Sequence, residues 1–246
     1  MVTSVAWTFS TADVAESSSD LAYKAALDGA STGTGFLVGE QTAGRGRRGR
    51  TWLSPQGGMY LSVVLRPEID KRFWPLLSFV AALAARETID NALSLHRPLV
   101  KWPNDILVDG RKICGILLEG TAEFLIVGTG INVAPVQAVK DMQGHMIPTS
   151  LVDLGNDVTS PMLLATAYMD NLARRYNEFC RTGLAPVREE WIRHAAFLNE
   201  DVFVEENGPS GRFVGIDDDG SMMLVDVSGK THHITSGDVV LMGDDN

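Results

Sequence analysis

The chain has 246 residues and a mass of 26.7 kDa, of which 45% are hydrophobic and 21% charged; this is the make-up of a globular protein with a sizeable core, and it excludes wholesale disorder and fibrous repeats. A formal charge of −10 makes nucleic acid and anionic membrane poor partners for the bulk surface. The longest nearly apolar run, Leu76 to Ala85, falls well short of the roughly 20 residues a bilayer crossing needs.

Met1 to Ser10 lacks the basic and apolar regions of a secretion signal, and Cys114 and Cys180 lie far apart without metal-ligand spacing, so a reducing cytoplasm is the expected location. Ser17 to Ser19 precede a run of helix formers from Asp20 to Leu27 that stops at Gly29, which predicts a short capped helix. Phe36 to Glu40 and Met59 to Leu65 read as strands, separated by a loop from Gln41 to Gly58 without apolar periodicity. Pro75 opens an Ala- and Leu-rich segment to about Leu93, too long for a strand and expected as a core helix. Four strands should follow as antiparallel neighbours, at Leu99 to Trp102, Ile106 to Val108, Ile113 to Glu119 and Phe124 to Gly128, with Asp109-Gly110 as a hairpin turn.

Ser160-Pro161 starts the clearest helix, in which Leu164, Tyr168, Leu172, Tyr176 and Phe179 form one apolar stripe and Gly183 marks the stop. A further helix is expected over Pro186 to Ala195. Beyond it, short runs at Val202 to Glu205, Arg212 to Ile216, Met222 to Val225, Lys230 to Ile234 and Val239 to Leu241 are punctuated by Asn207-Gly208, Asp219-Gly220, Ser228-Gly229 and Ser236-Gly237. That spacing predicts a small five-stranded barrel. The division is therefore a 1–198 α/β (α+β) domain followed by 199–246.

Three blocks carry candidate chemistry. Gly44-Arg45-Gly46-Arg47-Arg48-Gly49-Arg50 concentrates four arginines without an acid: glycines let the backbone approach a ligand, and guanidinium forks match phosphate or carboxylate oxygens. Three readings fit it: a solvated loop, a nucleic-acid-binding segment, or a loop closing over a small anion. Lys101-Trp102-Pro103-Asn104-Asp105-Ile106 is followed by Arg111-Lys112-Ile113-Cys114-Gly115-Ile116-Leu117-Leu118-Glu119. This places cations beside a potential metal-binding carboxylate, with a glycine in an apolar strand where a ligand can lie on the backbone; an ordinary surface lysine at a hairpin end is the plainer account. Gly128-Thr129-Gly130-Ile131-Asn132 ends a strand in small residues and an amide that can read a base edge, or is simply a turn. His232-His233 and Asp217 to Gly220 lack ligand spacing and read as solvated.

In this order and spacing the blocks resemble the biotin protein ligase family, with its GRGRRGR, KWPND, lysine-x-x-Gly-Ile-Leu and Gly-x-Gly-Ile-Asn segments, over roughly residues 10–243. The resemblance implies a mixed sheet flanked by helices, a class II synthetase-like catalytic domain, with an SH3-like β-barrel at the C-terminus. It implies activation of biotin by ATP as biotinoyl-5′-AMP, then transfer to a lysine of the biotin carboxyl carrier domain of a biotin-dependent carboxylase, with Mg2+ required and the enzyme a monomer or homodimer.

By that resemblance Ser17, Ser18 and Gln41 would bind the ureido head of biotin. Arg45, Arg47 and Lys112 would grip the carboxyl and phosphate groups as catalytic cations, and Gly115 would present backbone to the ligand. Trp52 would stack near adenine and Asn132 would read its amino edge. Gly44, Arg48, Lys101 and Asn104 complete the ligand-binding set, and Asp105 is the candidate metal ligand. The chain has Ser19 where the family usually has Asn. Only about ten residues precede the matching region, too few for a helix-turn-helix, so DNA binding is not expected. A lipoate ligase of the same superfamily and a noncatalytic nucleic-acid-binding protein are the alternative functions.

Overall fold

The computed structural model describes residues 7–136, 146–205 and 208–242. Met1 to Ala6 and Asn207 of the sequence-based assignments lie outside these. The expected mixed sheet is present with seven strands: β1 (Thr8–Ala15), β2 (Thr34–Gln41), β3 (Met59–Leu65), β4 (Leu99–Lys101), β5 (Asp105–Val108), β6 (Arg111–Gly120) and β7 (Leu125–Ile131), in the order β1-β2-β3-β7-β6-β5-β4. Only the β1–β2 pair is parallel among these neighbours. The sequence reading assigned no strand to β1. Half of its residues are polar and none is buried, as befits an edge strand, so no alternating apolar face marks it.

Helix α1 (Ser18–Leu27) connects β1 to β2, and the expected core helix divides into a 3-10 turn at Lys71–Leu76 and α2 (Leu77–Ala92). Helices α3 (Pro161–Thr182) and α4 (Leu184–Arg193) follow the sheet. Strand parity sorts the layers. Met59, Leu61, Val63 and Leu65 of β3 join the main core with α2 and α3, whereas Val64 packs with Phe124, Ile126 and the α1 residues Ala22 and Ala26 in a smaller cluster on the other face.

Strands β8 (Asp201–Val204), β9 (Ser210–Ile216), β10 (Met222–Val225), β11 (Thr231–Ile234) and β12 (Val239–Leu241) form one antiparallel sheet in the order β11-β10-β9-β8-β12. This C-terminal unit shares its core with the seven-stranded unit: Trp191 stacks edge-on between Phe79 and Phe213, and a side chain at Gly220 would run into Leu76 and Phe79. His232 and His233 each face a carboxylate, Asp226 at 2.7 Å and Asp217 at 2.8 Å. Among the described residues no helix is long and apolar enough to cross a membrane.

Candidate active site

The parallel register of β1 and β2 sets Ala15 beside Gln41, so the chain leaving β1 starts α1 next to the end of β2. Ser17 is the N-cap: extended at φ −157° and ψ 143°, it accepts the Ser19 N–H at 3.1 Å, which satisfies one of the unpaired donors of the first turn. Gln41 Oε1 accepts from the Ser18 N–H at 2.8 Å and the Ser18 hydroxyl at 3.0 Å. Its Nε2 donates to Ser54 Oγ at 2.8 Å, and Ser54 donates to the carbonyl of Trp52 at 3.0 Å. Ser62 of β3, fully buried, touches both Ser18 Oγ at 2.8 Å and Ser19 Oγ at 3.1 Å. The three helix-cap serines, Ser54 and Ser62 are all buried, making a compact polar cradle in an otherwise apolar sheet. A Cβ on Gly128 would lie 3.0 Å from Ser19 Oγ, which is why that strand position carries no side chain.

Next to the cradle, Gly115 of β6 and Gly130 of β7 face one another in register, and the indole of Trp52 lies on both. A Cβ at Gly115 would come within 2.9 Å of Trp52 Cζ3, and one at Gly130 within 2.5 Å of Trp52 Nε1. The buried Nε1 has no hydrogen-bond partner among the described residues. Lys112 Nζ sits 5.2 Å from the indole centroid and 2.8 Å from Asp105 Oδ1, a cation held between an aromatic face and a carboxylate.

The arginine loop is ordered by short-range turns and by acids from distant parts of the chain. Isolated bridges join Gln41 to Ser54 and Arg45 to Thr51, and Arg47–Gly49 makes a 3-10 turn in which Arg48 takes a left-handed φ of 56°. Gly44 packs directly beneath Ser54, whose Oγ would be 2.6 Å from a Cβ there. Arg45 meets Asp20 at 2.8 Å and Glu119 at 3.4 Å, and its hydrogen bond to Asp20 raises its already high pKa. Arg47 donates to Asn104 Oδ1 at 3.3 Å and to the Gly237 carbonyl at 3.4 Å, and lies 3.7 Å from Asp238; burial pushes its pKa down. Arg50 pairs with the same Asp238.

Asn104 also donates to the Ile116 carbonyl, so it ties the arginine loop to β6. Lys101 is buried, and burial lowers its pKa although Asp105, its cross-strand neighbour, opposes the shift. Asn132 is buried and donates to the Thr149 carbonyl at 3.0 Å. The segment around Ile147 to Leu151 runs beside it and exchanges backbone bonds with Lys112.

The nominated residues therefore gather at one end of the sheet, but with partners the sequence did not reveal. Ser54, Ser62, Thr149 and Asp238 were all missed. Ser62 had a signal, as the one hydroxyl of serine or threonine in the apolar run Met59 to Leu65; Asp238 had none, because its partners lie 188 residues or more away. No three His, Cys, Asp or Glu side chains converge among the described residues as a metal site. Asp105, the candidate metal ligand, faces Lys112 Nζ at 2.8 Å.

Residues 14–134 match the biotin/lipoate A/B protein ligase family, and residues 197–242 match the biotin protein ligase C-terminal domain. The biotin–[acetyl-CoA-carboxylase] ligase of Paracoccus denitrificans is 35% identical over 216 residues, covering 79% of this chain and 85% of that protein. The chain is an enzyme of the biotin protein ligase family. The bifunctional ligase/repressor BirA of Bacillus subtilis is 33% identical over 239 residues, 93% of this chain and 72% of that one. Among solved structures, the biotin protein ligase of Aquifex aeolicus in complex with biotin and ATP superposes with a TM-score of 0.83 at 25% identity, covering 95% of this chain and 98% of that one. The biotin protein ligase from Leishmania major in complex with biotinyl-5-AMP gives 0.66 at 25% identity over 93% and 98%.

Proposed function

We propose that this family member activates biotin with ATP and transfers it to a lysine of a biotin carboxyl carrier domain. In the first step a biotin carboxylate oxygen bonds to the α-phosphorus of ATP and the bond to pyrophosphate breaks; in the second the carrier amine, having lost its proton, attacks the acyl carbon and AMP leaves. Both steps crowd anions together, so the protein's task is to position them and to neutralise developing charge. The observation that carries the reading is that Lys112 and the arginine loop converge beside a glycine platform that is flanked by buried serines and the half-buried amide of Gln41.

On this reading the cradle of Ser17, Ser18 and Gln41 takes the ureido head, and the acyl chain lies along Gly115 and Gly130. Lys112, Arg45 and Arg47 exchange their carboxylate partners for the carboxyl and phosphate oxygens. Arg48 adds positive charge at the rim, and the buried Lys101 lies behind Asp105 in the ligand-binding set. Asn132, its amide N–H spent on Thr149, presents a carbonyl oxygen suited to the exocyclic amine of adenine, and Trp52 moves to cover the ligand. Magnesium enters as the counter-ion of the triphosphate substrate. Arg45, Arg47 and Arg50 each face a carboxylate, which favours a closed small-anion site over an open nucleic-acid surface.

The test is incubation with biotin, MgATP and a biotin carboxyl carrier domain, with lipoate and a lipoyl domain in parallel. Biotin-dependent labelling of the carrier lysine is expected. Lipoate labelling in its place would make the chain a lipoate ligase, and labelling by neither would remove the ligase reading.

A further inference from the structure

The serine cradle has a direction. A backbone N–H can only donate, so the atom of Gln41 that faces the Ser18 N–H at 2.8 Å is the amide oxygen, and the same oxygen takes the Ser18 hydroxyl hydrogen at 3.0 Å. A serine hydroxyl has one hydrogen to give. Ser18 Oγ therefore accepts in its 2.8 Å contact with Ser62, and Ser62, its own hydrogen spent, accepts from Ser19 at 3.1 Å. The hydrogen bonds run one way, from Ser19 through Ser62 and Ser18 to Gln41. They continue from Gln41 Nε2 to Ser54 and from Ser54 to the Trp52 carbonyl.

We propose that Ser62 is a positioning residue for recognition of the substrate's polar head, because it takes up the Ser19 hydroxyl hydrogen, so that Ser19 offers only acceptor lone pairs, and fills a lone pair of the Ser18 hydroxyl that Gln41 orients. The proposal rests on the biotin reading above. With the chain so polarised, the groups left for a ligand are the Ser17 hydroxyl hydrogen and the second hydrogen of Gln41 Nε2 as donors, and the Ser19 oxygen as acceptor. A cyclic urea, with one carbonyl and two N–H groups, needs both kinds; an acid with an apolar or disulfide head needs neither. Ser62 is wholly buried, so no water can replace its hydroxyl without room being made for it. Removing it frees the Ser19 hydroxyl to rotate and leaves a Ser18 lone pair unfilled, and the donor and acceptor pattern is lost.

The test is biotin-dependent pyrophosphate exchange by Ser62→Ala and Ser62→Cys, with KM measured separately for biotin and for MgATP, and thermal melting of each variant. The cysteine variant keeps nearly the shape of serine with a weak donor, and serves if alanine does not fold. The expected result is a rise in biotin KM of about tenfold or more, with KM for MgATP and kcat at saturating biotin within about twofold of wild type. An unchanged biotin KM in a folded variant, or equal rises in both KM values, overturns the positioning role. Wild-type protein that shows no exchange with biotin instead removes the biotin reading, and this proposal with it.

Discussion

Lys112 Nζ lies 2.8 Å from Asp105 Oδ1, across a hairpin whose register places Lys112 opposite Leu107 and Asp105 opposite Gly115. The lysine is thus held at the mouth of the glycine platform by a carboxylate that an incoming phosphate or carboxyl group can displace. Lys112→Ala should leave the fold intact and lower adenylate formation at least about a hundredfold, as losing a cation aimed at developing charge does. Pyrophosphate release is the measurement. Near-normal release by a folded variant would remove Lys112 from the catalytic set.

Like-charge repulsion in the empty arginine loop is offset by acids from elsewhere, Asp238 above all, which faces both Arg47 and Arg50. Asp238→Asn should therefore loosen the loop, and trypsin should cut near Arg47 or Arg48 several-fold faster than in the wild type. Addition of biotin and ATP should slow cleavage in both proteins, because ligand oxygens then supply the counter-charge. Equal cleavage of the two proteins without ligand would show that Asp238 does not hold the loop.

Arg47→Gly removes one clamp while leaving Lys112 and Trp52 in place. The variant is expected to release the reactive adenylate earlier and to label bystander lysines above the wild-type level. Mass spectrometry of an added unrelated protein checks this. Bystander labelling no greater than with wild type would contradict a retaining role for the loop.

A methyl at Gly130 would press on Trp52 Nε1 at 2.5 Å, closer than real side chains approach. Gly130→Ala should expel the indole from its buried seat and shift tryptophan emission to longer wavelength. Biotin turnover should fall by at least tenfold as the platform fills. The comparison protein is Trp52→Phe, in which the emission change on adding the Gly130 substitution should vanish. A shift that persists without Trp52 would place the change elsewhere.

Glu190 holds Arg175, 2.7 Å away, and this hydrogen bond depresses the Glu190 pKa below 4.5. A depressed carboxylate stabilises the folded state above its unfolded pKa and loses that contribution as pH falls through the folded value. Glu190→Gln should accordingly melt lower at neutral pH by about 2–4 °C, for a loss of about 1 kcal/mol. The gap should narrow as pH falls below the ordinary carboxylate range, which melting at pH 7 and pH 3.5 would measure. A gap that is the same at both pH values would show that the charge of Glu190 is not what stabilises the helix pair.

The short-range signals in the sequence were sufficient for most of the fold. Caps and punctuation fixed α1, α3 and the five C-terminal strands, because Ser17, Ser160, Gly183 and the Gly-containing turns act on neighbours within a few residues. The motif residues could be nominated for the same reason: their glycines and cations are contiguous. Strand β1 was invisible, since an exposed edge gains its hydrogen bonds from β2 without needing an apolar face. The partners of Ser62, Asp238 and Asn132 were decided by the tertiary structure alone. A hydroxyl on a buried strand and a carboxylate in the C-terminal unit acquire their roles only when packing brings them to Ser18 and Arg47, and hydrogen bonds act through such distances in space, not through separation along the chain.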